Sequence, residues 1–162
     1  MLHYQIEFDD YRQHLMHVTV RFLANPNQVL SLPTWIPGSY LIREFSKHLE
    51  SVCAYDEAGR ILKIQKFAKN KWRLFNTDHE LITVEYDVYA YDLSVRGAYV
   101  DQTRLYVNPA CACLGLDGQE DKAIEVELFL PDELKHFQLA TGLAAKSLVK
   151  GRYTLKAKNY AE

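Results

Sequence analysis

Leu81–Tyr91, LITVEYDVYAY, alternates without a break. Ile82, Val84, Tyr86, Val88 and Ala90 fall on one face; Thr83, Glu85, Asp87, Tyr89 and Tyr91 fall on the other. That period of two is the signature of a strand with one buried face. The same period recurs on both sides. Tyr4, Ile6 and Phe8 alternate with Gln5 and Glu7. Met16, Val18, Val20 and Phe22 alternate with His17, Thr19 and Arg21. Ile124, Val126, Leu128 and Leu130 alternate with Glu125 and Glu127. Ser51–Tyr55 and Ile61–Phe67 flank Asp56-Glu57-Ala58-Gly59 and predict a hairpin. Trp72–Phe75, Arg104–Leu114 and Tyr153–Ala157 complete the strand set. Asn25-Pro26-Asn27, Lys69-Asn70-Lys71 and Asp117-Gly118 mark turns. Pro33 and Pro37 make Leu32–Gly38 an ordered loop or an edge. No segment holds a 3.6 period for three turns; Pro131–Leu134 suggests one short helical turn. The expected fold is all-β, an antiparallel sandwich or saddle-like sheet with at most one or two helical turns.

Length and composition agree. The chain has 162 residues, 48% hydrophobic and 25% charged, enough for a single domain with a real core. Nineteen basic against 21 acidic side chains leave a net charge of −2, which provides no long-range field for nucleic acid or an anionic membrane. No apolar run reaches the ~18 residues of a membrane span. Met1–Asp10 has neither a basic start nor an apolar stretch of signal-peptide type. The three cysteines, Cys53, Cys111 and Cys113, fit a reducing, cytoplasmic compartment rather than a disulfide scaffold. The Cys111/Cys113 spacing is not that of a zinc knuckle, and the plain structural reading places both as buried thiols on one strand face. Lys158–Glu162 stops without a polar tail, as expected of a domain edge.

Candidate chemistry is sparse. His14 and His17 are three apart, which on a strand sends them to opposite faces. There is no His-Glu-x-x-His, no Gly-rich phosphate loop, and Ser39 stands in Pro37-Gly38-Ser39-Tyr40 rather than in a nucleophile elbow. Two segments are unusual for a plain sandwich. Trp35–Phe45, WIPGSYLIREF, gathers apolar side chains around an adjacent Arg43-Glu44 pair. Asp92–Asp101, DLSVRGAYVD, places an Arg-Gly-Ala-Tyr loop after a long strand. Gly97 permits a turn or a close approach. Arg96, Asp101 and Arg104 suit either bidentate contacts to a ligand or a loop held by its own ion pairs.

Those segments carry a resemblance. LPTWIPGSYLIREF (Leu32–Phe45) and YDVYAYDLSVRGAYVD (Tyr86–Asp101) resemble the N-terminal domain of the glycyl aminopeptidases, metallopeptidase family sixty-one. Weaker similarity runs through Lys71-Trp72-Arg73, Leu105–Asn108 and Ala140–Leu143, so it covers nearly the whole chain. The resemblance implies a non-catalytic N-terminal β domain spanning residues 1–162. The implied parent is a zinc aminopeptidase that releases N-terminal glycine or alanine. Its zinc lies in a thermolysin-like catalytic domain outside these residues, so this chain alone is expected to hold no cofactor and to hydrolyse nothing. The implied partners are that catalytic domain and the peptide N-terminus. The implied cleft wall is Arg96, Gly97, Ala98, Tyr99, Asp101 and Asn108. The family usually has glycine after that asparagine; here Pro109 follows. Trp35, Ile36, Tyr40, Arg43 and Glu44 are assigned to the domain–domain seam. A bared seam implies self-association of the isolated chain through Trp35, Ile36 or Tyr99.

Two rival readings stand beside this one. The first is a stand-alone immunoglobulin-like module binding a peptide or sugar through aromatic loops. The second is a small enzyme using Arg96, Tyr99 and Asp101; it lacks any nucleophile, metal or positioned base.

Overall fold

The computed structural model describes residues 1–162. Its strands are β1 (Leu2–Glu7), β2 (Leu15–Ala24), β3 (Val29–Ser31), β4 (Leu49–Asp56), β5 (Ile61–Leu62), β6 (Ile64–Ala68), β7 (Lys71–Leu74), β8 (Glu80–Tyr89), β9 (Ala98–Val100), β10 (Leu105–Val107), β11 (Gly115–Leu116), β12 (Ile124–Phe129), β13 (Ala144–Val149) and β14 (Arg152–Ala157). There is no α-helix. Single 3₁₀ turns occupy Tyr11–Gln13, Phe45–His48, Pro109–Cys111 and Asp132–Leu134. The last is the turn expected after Pro131; the four together exceed the one or two the pattern suggests.

The strands form a large sheet, β13-β14-β12-β1-β2-β8-β4-β5, a smaller one, β11-β3-β7-β6, and the hairpin β9-β10. The alternation in Leu81–Tyr91 has the predicted consequence. Ile82, Val84 and Tyr86 are fully buried, with Val88 and Ala90 at 1% exposure. β8 pairs β2 from Leu15↔Tyr89 to Ala24↔Glu80, so Val18, Val20 and Phe22 share its inner face. Leu30, Trp72, Leu74 and Leu116 of the smaller sheet join the same apolar cluster. This is a sandwich, all-β and mainly antiparallel, with layers of unequal size.

Three features differ from the expected pattern. β1 pairs β12 in parallel, Leu2↔Ile124 to Glu7↔Phe129, which joins segments more than a hundred residues apart. The run Ile61–Phe67 divides between the sheets: β5 makes two pairs with β4, and β6 crosses to pair β7. Finally, β4 bulges between Glu50 and Cys53, where Ser51 takes a left-handed backbone at φ 55°. A bulge leaves the extra residue unpaired and bends the strand.

Candidate functional site

The inner face of β1, β12 and β14 is covered differently from that of β2 and β8. It opens into a groove of about 620 Å³, and 21 of the 28 residues that line it are hydrophobic. The floor comes from Ile6, Val126, Leu128 and Leu155. β10 with Asn108–Ala110 forms one wall, and the strap Phe137–Leu143 forms another. Tyr153 pins the strap by donating its hydroxyl to Phe137 O at 2.9 Å. Asn159–Glu162 complete the rim.

Asn108 is the one expected cleft residue that lines this groove. It caps the 3₁₀ turn Pro109–Cys111: Ala110 N donates to Asn108 Oδ1 at 3.1 Å. Proline at the first position of that turn loses no hydrogen bond there. Cys111 and Cys113 are buried as expected, but they sit on and just after this turn rather than on a strand. Burial pushes both thiols up to about 12, so neither forms a reactive thiolate near neutral pH.

Three tyrosines hold the segment after Asn108, and the strand pattern alone did not single them out for this. Tyr86 donates to Ala112 O at 2.9 Å and accepts from Leu114 N at 3.0 Å. Tyr4 donates to Leu114 O at 2.7 Å, and Tyr160 donates to Cys113 O. For Tyr4 and Tyr86 the available signal was tyrosine on an inward strand position, where a buried hydroxyl needs a partner; Tyr160 lies in the turn after the last strand. Burial holds the Tyr4 and Tyr86 hydroxyls well above the usual tyrosine range, so they act as neutral clamps.

The Arg-Gly-Ala-Tyr loop points elsewhere. Gly97 packs so closely on Asp92 that an added Cβ would stand 2.6 Å from its Oδ2 and 2.7 Å from its Cβ; close approach, not a left-handed backbone, is what demands glycine. Ala98 is buried, and Arg96 is half-buried. Asp101 forms no ion pair with Arg96 or Arg104. Its Oδ1 accepts from Thr103 N and Oγ1, each at 2.7 Å, and from Arg104 N at 2.9 Å; its Oδ2 accepts from Tyr99 Oη at 2.9 Å. Hydrogen bonds within the loop thus take the place of the expected ion pairs. They lower its pKa to about 2, the Thr103 hydroxyl contributing most. A depressed carboxylate stabilises the loop fully above its unfolded value near 4, and loses that effect as pH falls through about 2. A carboxyl NMR titration is expected to give a midpoint near 2; a midpoint near 4 would mean these bonds do not persist in solution.

Tyr99 instead joins an aromatic cluster. Its ring lies 5.5 Å from Tyr91, which lies 4.3 Å from His14; Tyr89 lies 6.4 Å from His48. His14 does not stand on a strand opposite His17. It precedes β2 with φ 58°, and its Nδ1 donates to Val100 O at 2.7 Å. His17 contacts Asp87 Oδ1 at 2.8 Å on the outer face.

The expected seam residues separate as well. Tyr40 is 100% exposed and Trp35 54%, with Leu41 and Ile42 also exposed, while Ile36 is buried in the core. Trp35 Nε1 donates to Ser39 O at 2.7 Å. Ser39 is buried and organises its own turn, donating to Leu41 O and accepting from Arg43 Nε. Arg43 and Glu44 do not pair with each other; Glu44 bonds Lys69 at 2.6 Å. No three His, Cys, Asp or Glu side chains converge in a group that could hold a metal ion. No buried side-chain polar atom lacks a hydrogen-bond partner. No helix is long and apolar enough to cross a membrane.

Residues 3–162 match the family described as the Peptidase M61 N-terminal domain. No curated protein matches the chain. Among solved structures, the chain is similar to an aminopeptidase N family protein from Idiomarina loihiensis. Identity is 40% and the TM-score 0.92, over 99% of this chain and 27% of that one. An M1 zinc metallopeptidase from Deinococcus radiodurans aligns at 13% identity and a TM-score of 0.40, over 96% of this chain and 36% of that one. The chain thus spans about a quarter to a third of the solved proteins it is compared with.

Proposed function

We propose, since the chain belongs to the Peptidase M61 N-terminal domain family, that it is the non-catalytic N-terminal part of a cytoplasmic zinc aminopeptidase releasing N-terminal glycine or alanine. In this reading it walls one side of the substrate cleft and packs on the catalytic domain of the same polypeptide. The observation that carries the proposal is the 40% identical aminopeptidase N family structure, which superposes on nearly all of this chain and extends far beyond it. An exopeptidase has to block long chains on one side of the scissile bond and hold a free α-ammonium. A rigid β domain supplies the block, and a fixed oxygen acceptor supplies the hold.

Asn108 is the residue best suited to that acceptor role. Its backbone is fixed by the tyrosine-clamped turn, and its Oδ1 keeps one lone pair after accepting from Ala110 N. Arg96, Gly97, Ala98, Tyr99 and Asp101 shape the neighbouring loop rather than the groove itself. Of the side chains expected to drive self-association, Ile36 is buried and Trp35 is exposed; the isolated chain is expected to self-associate through Trp35 and the adjoining exposed Tyr40, Leu41 and Ile42, read as a sedimentation mass that rises with concentration. In the longer enzyme, Asn108→Ala is expected to raise KM for a free-amine glycyl anilide about tenfold, with kcat little changed. An unchanged KM would remove Asn108 from substrate binding.

A further inference from the structure

The small net charge hides an uneven distribution. Arg60–Phe75, RILKIQKFAKNKWRLF, holds six of the chain's 19 basic side chains and no acidic one. The remaining residues set thirteen basic against 21 acidic side chains. The basic run forms β5, β6 and β7. Carboxylates from other segments pair three of its cations: Asp56 holds Arg60, Glu44 holds Lys69 and Asp117 holds Lys71. Lys63, Lys66 and Arg73 are exposed and lie over aromatic rings instead. Lys63 stands 4.5 Å from the centroid of Phe75, Lys66 4.8 Å from that of Trp72, and Arg73 4.6 Å from that of Phe67. A ring quadrupole holds a cation in place without cancelling its charge. The remaining N–H groups stay available to an anion.

β6 is also an edge. It ends the order β11-β3-β7-β6, so the side turned away from β7 carries unpaired backbone N–H and C=O groups. Gln65–Ala68 is exposed along its length. Such an edge accepts an extended chain as a further strand. A second copy of β6 would bring the lysines of both chains together, and like charges across a strand pair destabilise it. Single-stranded nucleic acid would stack its bases on exposed rings, but Phe67 and Phe75 already carry Arg73 and Lys63. We propose that the β6 edge binds an extended acidic peptide segment by strand addition, with Lys63, Lys66 and Arg73 pairing its carboxylates. None of these residues lines the Asn108 groove, so this surface is separate from the cleft wall and does not depend on that reading.

Fluorescence anisotropy of residues 1–162 with a labelled peptide of alternating glutamate and valine tests this. The peptide is expected to bind at low salt. Lys63→Gln, Lys66→Gln and Arg73→Gln together are expected to weaken binding about tenfold, the combined effect of three exposed ion pairs. Lys122→Gln, Lys150→Gln and Lys158→Gln remove the same charge from other exposed positions and are expected to leave the affinity little changed; circular dichroism checks the fold of both variants. The same peptide N-methylated at each valine cannot complete a strand ladder and is expected to bind about tenfold more weakly. No binding of the unmethylated peptide would overturn the proposal, and so would equal weakening by the two triple variants. Undiminished binding of the N-methylated peptide would overturn strand addition. Oligothymidylate or phosphatidylserine vesicles bound through Lys63, Lys66 and Arg73 in preference to the peptide would assign the surface to another polyanion and overturn the peptide.

Discussion

Trp72→Ala is expected to destabilise the chain by about 4 kcal/mol. Trp72 is 4% exposed and lies at the centre of the smaller sheet, paired with Leu30. Lys66 Nζ sits over its ring at 4.8 Å from the centroid. Removing the indole leaves a cavity between the two layers, and the surrounding strands, fixed by their ladders, collapse into it only partly. Trp35→Ala is the control. That side chain is 54% exposed and makes one hydrogen bond, so its loss is expected to cost under about 1 kcal/mol. Urea denaturation followed by circular dichroism measures both. Equal effects would mean that the smaller sheet does not pack as described.

Tyr86→Phe, which removes a single oxygen, is expected to cost about 3 kcal/mol. The hydroxyl serves two buried backbone groups at once, the Ala112 carbonyl and the Leu114 amide. Each buried group left without a partner costs roughly 1–3 kcal/mol, more than the net value of a made bond. Tyr160→Phe is expected to cost less, because Tyr160 is only half-buried and serves one carbonyl. Amide exchange provides the specific readout. In Tyr86→Phe the Leu114 amide is expected to lose protection before the amides of β8 do. Unchanged protection at Leu114 would show that another acceptor, such as water, replaces the hydroxyl.

β8 and β2 were legible in the sequence because each buries one face and leaves the other more exposed, so hydropathy records the strand directly; β12 was legible from its Ile-Glu-Val-Glu-Leu alternation. β13 was not. Ala144–Val149 is an edge strand, largely exposed on both faces, and such a strand has no alternation to record. The parallel pairing of β1 with β12 was also illegible, since nothing local links Leu2 to Ile124. Asn108–Leu114 read as the continuation of a strand because its small apolar residues fit one. Asn108 followed by Pro109 nevertheless carried the opposite signal, a cap and a first-turn proline. At the site, Asn108 was found from resemblance, whereas the tyrosine clamps and the strap Phe137–Leu143 depend on tertiary contacts. The loop Asp92–Asp101 stood out in the sequence as unusual for a plain sandwich. Its Asp101 carboxylate, however, bonds to its own backbone and Thr103, and a list of charged residues does not reveal that geometry.

The most direct test is hydrolysis of glycyl- and alanyl-anilides by residues 1–162 alone and by the longer polypeptide containing them, each with and without added zinc. The expected result is no turnover by residues 1–162 under either condition, and zinc-dependent turnover by the longer polypeptide. Zinc-dependent release of the anilide by residues 1–162 alone would contradict the account, because the catalytic machinery would then lie within this domain.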